Sequence, residues 1–270
     1  MILRLFILAL VNCITIQLTN AQDFKFAFFT DMHINRDSTL ILVHQRVKDT
    51  KAHVDFIMLG GDNVDIDNQN AQRMPQAIER YKGLKRIFQQ EGTSFYPTIG
   101  NHDRLSSAIT ANSDSLFVDL FGKTYYSFEH KHVRFIVLNS VQVVNSKYAI
   151  DSVQLDWLKN LIATIPTSQP IVISTHVPFL SVYYPVLTGK YTDTDTFSNQ
   201  KEVFDLFKNH NLKLVLQGHM HLYEEIKVKG TTFITAGAVS GNWWSGDYHG
   251  TKPGALIVNY SNGEFTWNYN

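Results

Sequence analysis

Between residues 24 and 99, three short apolar runs alternate with two longer stretches of helical periodicity. This alternation limits the fold more than any other property of the chain. FKFAFF (24–29), DFIML (55–59) and SFYPTI (94–99) read as strands. Residues 38–54 and the amphipathic MPQAIERYKGLKRIFQQ (74–90), closed by Gly92, read as helices. A β-α-β-α-β run is the mark of a parallel sheet with helices on its faces.

The rest of the chain adds strands faster than helices. YYSFEH and VRFIVLN look like a pair, and IVIST (171–175) and LKLVLQ (212–217) like buried strands. Asp151 can cap a helix through Ile165, and EVFDLFKNH (202–210) reads as another. The tail reads as two hairpins, the second turning at Ser261-Asn262-Gly263. The expectation is one α/β domain over residues 22–270: two mixed β-sheets packed as a sandwich and flanked by helices.

The first 21 residues stand outside that domain. Arg4 precedes an apolar stretch, LFILALVNCITIQL, and Thr19-Asn20-Ala21 offers small residues for cleavage, the layout of an export leader. Asn12, Thr15 and Gln17 interrupt the run, so no stable membrane span is expected. Asn12 is a poor neighbour for a lipid-modified Cys13, which makes a lipoprotein the lesser option beside a periplasmic or secreted chain. Cleavage would remove the single cysteine. Any metal site must then use nitrogen and oxygen ligands, which suits Zn, Mn, Fe or Mg and not a thiolate cluster. The 24 Lys+Arg balance the 24 Asp+Glu, so there is no electrostatic footprint for a nucleic-acid polymer.

The polar residues fall in one kind of place. Five of the strands run directly into Asp31-Met32-His33, Gly61-Asp62-Asn63, Gly100-Asn101-His102-Asp103, His176 and Gly218-His219-Met220-His221. Each alone would be an ordinary turn. Together they gather at the carboxyl ends of strands, where open α/β sheets bind ligands. Asp-x-His and His-x-His each place two donors on one side of an extended segment, within reach of one ion. Glycines at 60, 61, 100 and 218 let the backbone turn sharply beside them.

The ordered set D-x-H, G-D-x-x-D, G-N-H-D, a lone His after a strand and G-H-x-H resembles the calcineurin-like metallophosphoesterase family, and spans residues 31–221. The resemblance implies two divalent ions of the Mn, Fe or Zn type. Asp31, His33 and His221 would hold one, Asn101, His176 and His219 the other, and Asp62 would bridge them. His102 matches the catalytic histidine, and Asp65 the carboxylate that orients it. Two such ions bring four positive charges, of which Asp31 and Asp62 cancel half. The remainder would attract phosphate oxygens and acidify a bridging water for attack on phosphorus. His102 would protonate the departing alkoxide.

The implied activity is hydrolysis of small-molecule phosphate esters. Asp65 and His33 differ from the pattern of purple acid phosphatases, and Ile66-Asp67 stands where protein phosphatases carry Arg-Gly. With no Arg clamp for a phosphate dianion in view, the expectation leans to phosphodiesters, with a phosphomonoesterase second. A metal-dependent scaffold that only binds a phosphorylated glycan is the third reading. The segment GAVSGNWWSGDYHGTKPG (237–254) sets Trp243, Trp244, Tyr248 and His249 among glycines, either to line a substrate pocket or to cover the core. Tyr183, Tyr184 and Lys190 are weaker candidates of the same kind. The sequence leaves the oligomeric state open.

Overall fold

The computed structural model describes residues 23–67, 69–105, 113–190 and 195–270, so the expected leader lies outside the described residues. Its first five elements are β1 (Phe24–Phe29), α1 (Asp37–Lys51), β2 (Phe56–Leu59), α2 (Met74–Glu91) and β3 (Phe95–Pro97). β1 pairs parallel with β2, and β2 with β3, as the alternation requires. Helix α2 buries Ala77, Tyr81, Leu84, Ile87 and Phe88 at helical spacing. It ends at Gly92, whose φ of 64° would strain any side-chain-bearing residue.

After a single 3-10 turn at Asn101–Asp103 come α3 (Ser115–Phe121), β4 (Tyr126–His130) and β5 (Val133–Val137). A short hairpin, β6 (Val143–Val144) and β7 (Lys147–Tyr148), leads to α4 (Ser152–Ile162) and β8 (Pro170–Ser174). Asp151 caps α4, its carboxylate accepting from Gln154 N–H. Next are α5 (Tyr183–Thr188), α6 (Gln200–Asp205) and β9 (Asn211–Gln217). The chain closes with the hairpins β10 (Glu224–Val228)–β11 (Thr231–Thr235) and β12 (Leu256–Ser261)–β13 (Glu264–Tyr269). Asn262 and Gly263 take φ of 53° and 83°, the pair of left-handed residues a two-residue hairpin turn needs. Helix α6 is shorter than the expected 202–210. Beyond Asp205 the backbone tightens into turns, with Phe207 N–H donating to Phe204 O and His210 N–H to Phe207 O.

The strands form two mixed sheets, ordered β13-β12-β1-β2-β3 and β10-β11-β9-β8-β5-β4. Strand faces explain the layering. Phe26, Phe28, Phe56 and Met58 meet Phe135, Val172, Leu214 and Leu216 between the sheets, while Ala27, Phe29, Ile57 and Leu59 face outward into a second apolar layer with the helices. Phe26 stacks on Phe56 at 5.1 Å, and Phe56 meets Phe135 edge-on at 5.4 Å. Hydrogen bonds also cross the seam, among them Thr98 Oγ1 with Ser174 Oγ at 2.8 Å and Tyr126 OH donating to Pro97 O at 3.0 Å. Among the described residues no helix is long and apolar enough to cross a membrane.

Candidate metal centre

Parallel strands deliver their carboxyl ends to one edge, and here the edges of both sheets coincide. The loops after β1 and β2 run side by side: Asp31 N–H donates to Gly61 O and His33 N–H to Asp62 O, each at 2.9 Å. In the other sheet Gly218 N–H donates to His176 O at 3.1 Å. Val239 N–H, beyond β11, reaches across to Thr30 O at 2.9 Å and ties the sheets together at this end.

The seven expected ligands converge there. Asp31, His33 and His221 form one group and Asp62, His176 and His219 another, each with its ligand atoms within 4.8 Å of one another. Asp62 Oδ2 lies between them, 3.2 Å from His176 Nε2 and 3.6 Å from His33 Nε2. Asn101 Oδ1 is 3.1 Å from His176 Nε2.

Three of the histidines have their other nitrogen engaged. His33 Nδ1 meets Asp65 Oδ1 at 2.6 Å, His221 Nδ1 meets Gly241 O at 2.7 Å, and His176 Nδ1 meets Gly60 O at 2.9 Å. An acceptor at Nδ1 fixes the ring proton there and leaves the Nε2 lone pair facing inward. His33 Nε2 and His221 Nε2 then confront each other at 2.9 Å, with Asp31 Oδ1 3.4 Å from the latter. Ring nitrogens and carboxylates so close repel unless protons or metal cations lie among them. The donor set therefore fits two divalent ions held by nitrogen and oxygen alone.

The backbone bends to make this possible. Asp31, His33, Asp62, His219 and His221 all take positive φ, between 43° and 71°. Left-handed conformations cost such residues of order 1 kcal/mol each and tend to gather at functional sites. The glycines act mostly by absence of bulk. A Cβ on Gly100 would lie 2.1 Å from Asp62 N, and one on Gly218 would lie 2.8 Å from Asp31 Oδ2.

Charge in the cluster is strongly coupled. Burial opposes ionisation of Asp62, but His176, His102 and His33 overcome it and hold the carboxyl well below its usual range. Burial likewise opposes the charge on Asp31, which His221 lowers to about 2. The carboxylates act back on the rings. Burial would lower His176, yet Asp62 raises it to about 9, and Asp31 raises His221.

His102 sits at the edge of the cluster, its Nε2 3.9 Å from Asp62 Oδ2. Here the structure corrects one expectation. The carboxylate that touches His102 is not Asp65 but Asp67, whose Oδ1 is 2.8 Å from His102 Nδ1. Asp65 turns to His33, because the two carboxylates leave the same loop in different directions. Burial depresses His102, but the Asp67 hydrogen bond and the Asp62 charge outweigh it and raise the ring to about 10. Beneath this loop Asp103 is fully buried and accepts from the N–H groups of Gly100, Asn63 and Val64 and from Asn63 Nδ2.

A family model described as calcineurin-like phosphoesterase matches residues 24–223, from β1 to just past His221. The chain belongs to the calcineurin-like phosphoesterase family. As a member it is a metal-dependent phosphoric ester hydrolase. Several solved structures share the fold of this phosphoesterase. A dimetal phosphatase from Danio rerio is 14% identical with a TM-score of 0.61, covering 90% of this chain and 98% of its own. The anchor protein of the inner membrane complex of Plasmodium is 17% identical with a TM-score of 0.62, covering 92% and 84%. Purple acid phosphatase from yellow lupin (Lupinus luteus) is 12% identical with a TM-score of 0.62, covering 93% of this chain and 52% of the lupin protein. At these identities the likeness is one of fold. No curated protein matches the phosphoesterase in sequence.

The aromatic loop of the phosphoesterase divides its labour. Trp243 packs its ring 4.2 Å from His221 and 5.4 Å from His33, with Tyr248 at 5.8 Å. Trp244 instead joins the core, its Nε1–H donating to His33 O at 3.0 Å. His249 lies farther out, beside Tyr183 at 5.3 Å and Tyr248 at 4.4 Å. Tyr184 OH reaches Tyr248 OH at 3.3 Å, while Lys190 is exposed. The sequence gives no role to Asp67 or Asp103, since an acidic residue in a loop carries no mark of what it will face.

Proposed function

We propose that this phosphoesterase hydrolyses phosphodiesters in preference to monoesters, with ions of the Mn, Fe or Zn type. Asp31, His33 and His221 would hold one ion, Asn101, His176 and His219 the other, and Asp62 both. When bound, the ions supply positive charge for the phosphate oxygens and a water acidified for attack. The observation that carries the reading is the inward convergence of the Nε2 atoms of His33, His176 and His221 on two buried carboxylates.

His102 does the proton work. Its Nδ1 rests on Asp67, which keeps the ring charged and leaves Nε2–H pointing toward the cluster. Water gives up one proton and adds to phosphorus, the bond from phosphorus to the leaving oxygen breaks, and His102 gives that oxygen its proton and is recharged by the proton the water released. The preference for diesters is supported by Arg104. Its guanidinium is committed to Asp114, Ser113 and Val141 O, and so does not serve as a clamp for a second phosphate charge. We also read residues 1–21 as a leader that exports the chain.

The test compares bis(p-nitrophenyl) phosphate with p-nitrophenyl phosphate on protein loaded with Mn(II) or Zn(II), with a chelator control. Faster diester turnover that chelation abolishes supports the reading. Faster monoester turnover overturns the preference and keeps the site. Turnover of neither ester would favour a binding role of the kind the Plasmodium anchor's name suggests.

A further inference from the structure

Trp243 combines three properties that core coverage does not explain. It is 41% exposed although its ring packs on His221, a member of the ligand cluster. Its backbone is left-handed, with φ of 45°, and Trp244 follows at 70°. For bulky residues such values are true outliers, kept only where the surroundings enforce them.

The surroundings do enforce them. Ser240 donates through Oγ to Asp31 O at 2.7 Å, Gly241 O accepts from His221 Nδ1, and Trp244 Nε1–H is fixed on His33 O. Asn242 N–H donates to Gly246 O at 2.9 Å and closes the turn. The turn is thus fastened at three points to two segments of the cluster, 31–33 and 219–221, and the one large side chain it leaves in solvent is the indole beside them. Just beyond the turn, Tyr248 OH meets Tyr184 OH of α5 at 3.3 Å, and Val186 and Leu187 of the same helix are 78% and 60% exposed.

We propose that Trp243 is the specificity-determining wall of this site, stacking on a flat aryl or heteroaryl ring in the ester group of the substrate. The proposal rests on the phosphoesterase reading for the place of the phosphate. A fixed indole offers a preformed face, so stacking carries little ordering cost and distinguishes flat rings from saturated ones of equal size.

The test is calorimetric titration of the metal-loaded protein with benzylphosphonate and cyclohexylmethylphosphonate. These are non-hydrolysable anions of similar size and charge, and only the first has a flat ring. Wild type should bind benzylphosphonate about tenfold more tightly. Trp243→Phe should keep part of that preference, and Trp243→Leu should bind both alike. Trp243→Gly, which relieves the left-handed backbone, should fold and also lose the preference. Equal affinities in wild type, or a preference that survives Trp243→Leu and Trp243→Gly, would overturn the proposal. Binding needs no turnover, so a protein that hydrolyses neither nitrophenyl ester would refute the catalytic reading without deciding this one.

Discussion

Asp65 and Asp67 leave one loop two residues apart, yet their carboxylates serve different histidines. Each should have its own signature. Asp67→Asn removes the charge that keeps His102 protonated, so the loss should grow as the leaving group becomes less acidic. We expect about 10²-fold for alkyl esters and little for nitrophenyl esters, with metal content unchanged. Asp65→Asn weakens the partner of a ligand histidine, and should lower metal affinity by about 10–100-fold with no such dependence on leaving group. Steady-state rates on a leaving-group series, with metal analysis beside them, separate the two. If Asp65→Asn proved to be the variant sensitive to leaving group, the assignment of Asp67 would be wrong.

At the scale of elements, the turn at Asn101–Asp103 depends on a residue outside the chemistry. Asp103 holds the loops after β2 and β3 together through its four accepted hydrogen bonds. Asp103→Asn must aim its amide NH2 at two of those donors, whichever way it turns, which should cost about 2 kcal/mol of stability or more, readable by denaturant unfolding. The elements near this turn also show what a sequence can reveal. Strands wholly apolar up to a polar terminus were legible, because burial on both faces and a ligand at the strand end leave a sharp chemical boundary. Helices α3 and α5 were not, being too short for a period to emerge, and α5 buries none of its residues. The residues that converge at the centre were legible since their types and order are tied to strand ends. The partner of His102 was not, because two aspartates in one loop are equivalent until the backbone bends.

For the whole molecule, the centre couples stability to pH. His176 has an ordinary value of 6.5, raised to about 9 in the fold. The metal-free chain therefore gains stability from this proton below pH 6.5, and loses it as pH rises through about 9. Metal competes for the same lone pair, so uptake releases protons and affinity climbs with pH. The melting-temperature gain on adding Zn(II) or Mn(II) should thus widen between pH 6.5 and 9. A gain that stays flat over this window would mean that His176 does not bind the ion.

The proposed ligands come from both sheets: Asp31, His33, Asp62 and Asn101 follow strands of one, and His176, His219 and His221 follow strands of the other. At the far end of the seam Phe24, Phe56 and His130 interlock with centroids 4.9–6.2 Å apart. The molecule is therefore bound like a book, with an aromatic spine and a metal clasp. Removing the ions would loosen the covers from the clasp side while the spine stayed closed. A protease that met the chain in metal-poor surroundings would find its first cuts at the open edge, and the lifetime of the protein would then record the supply of metal.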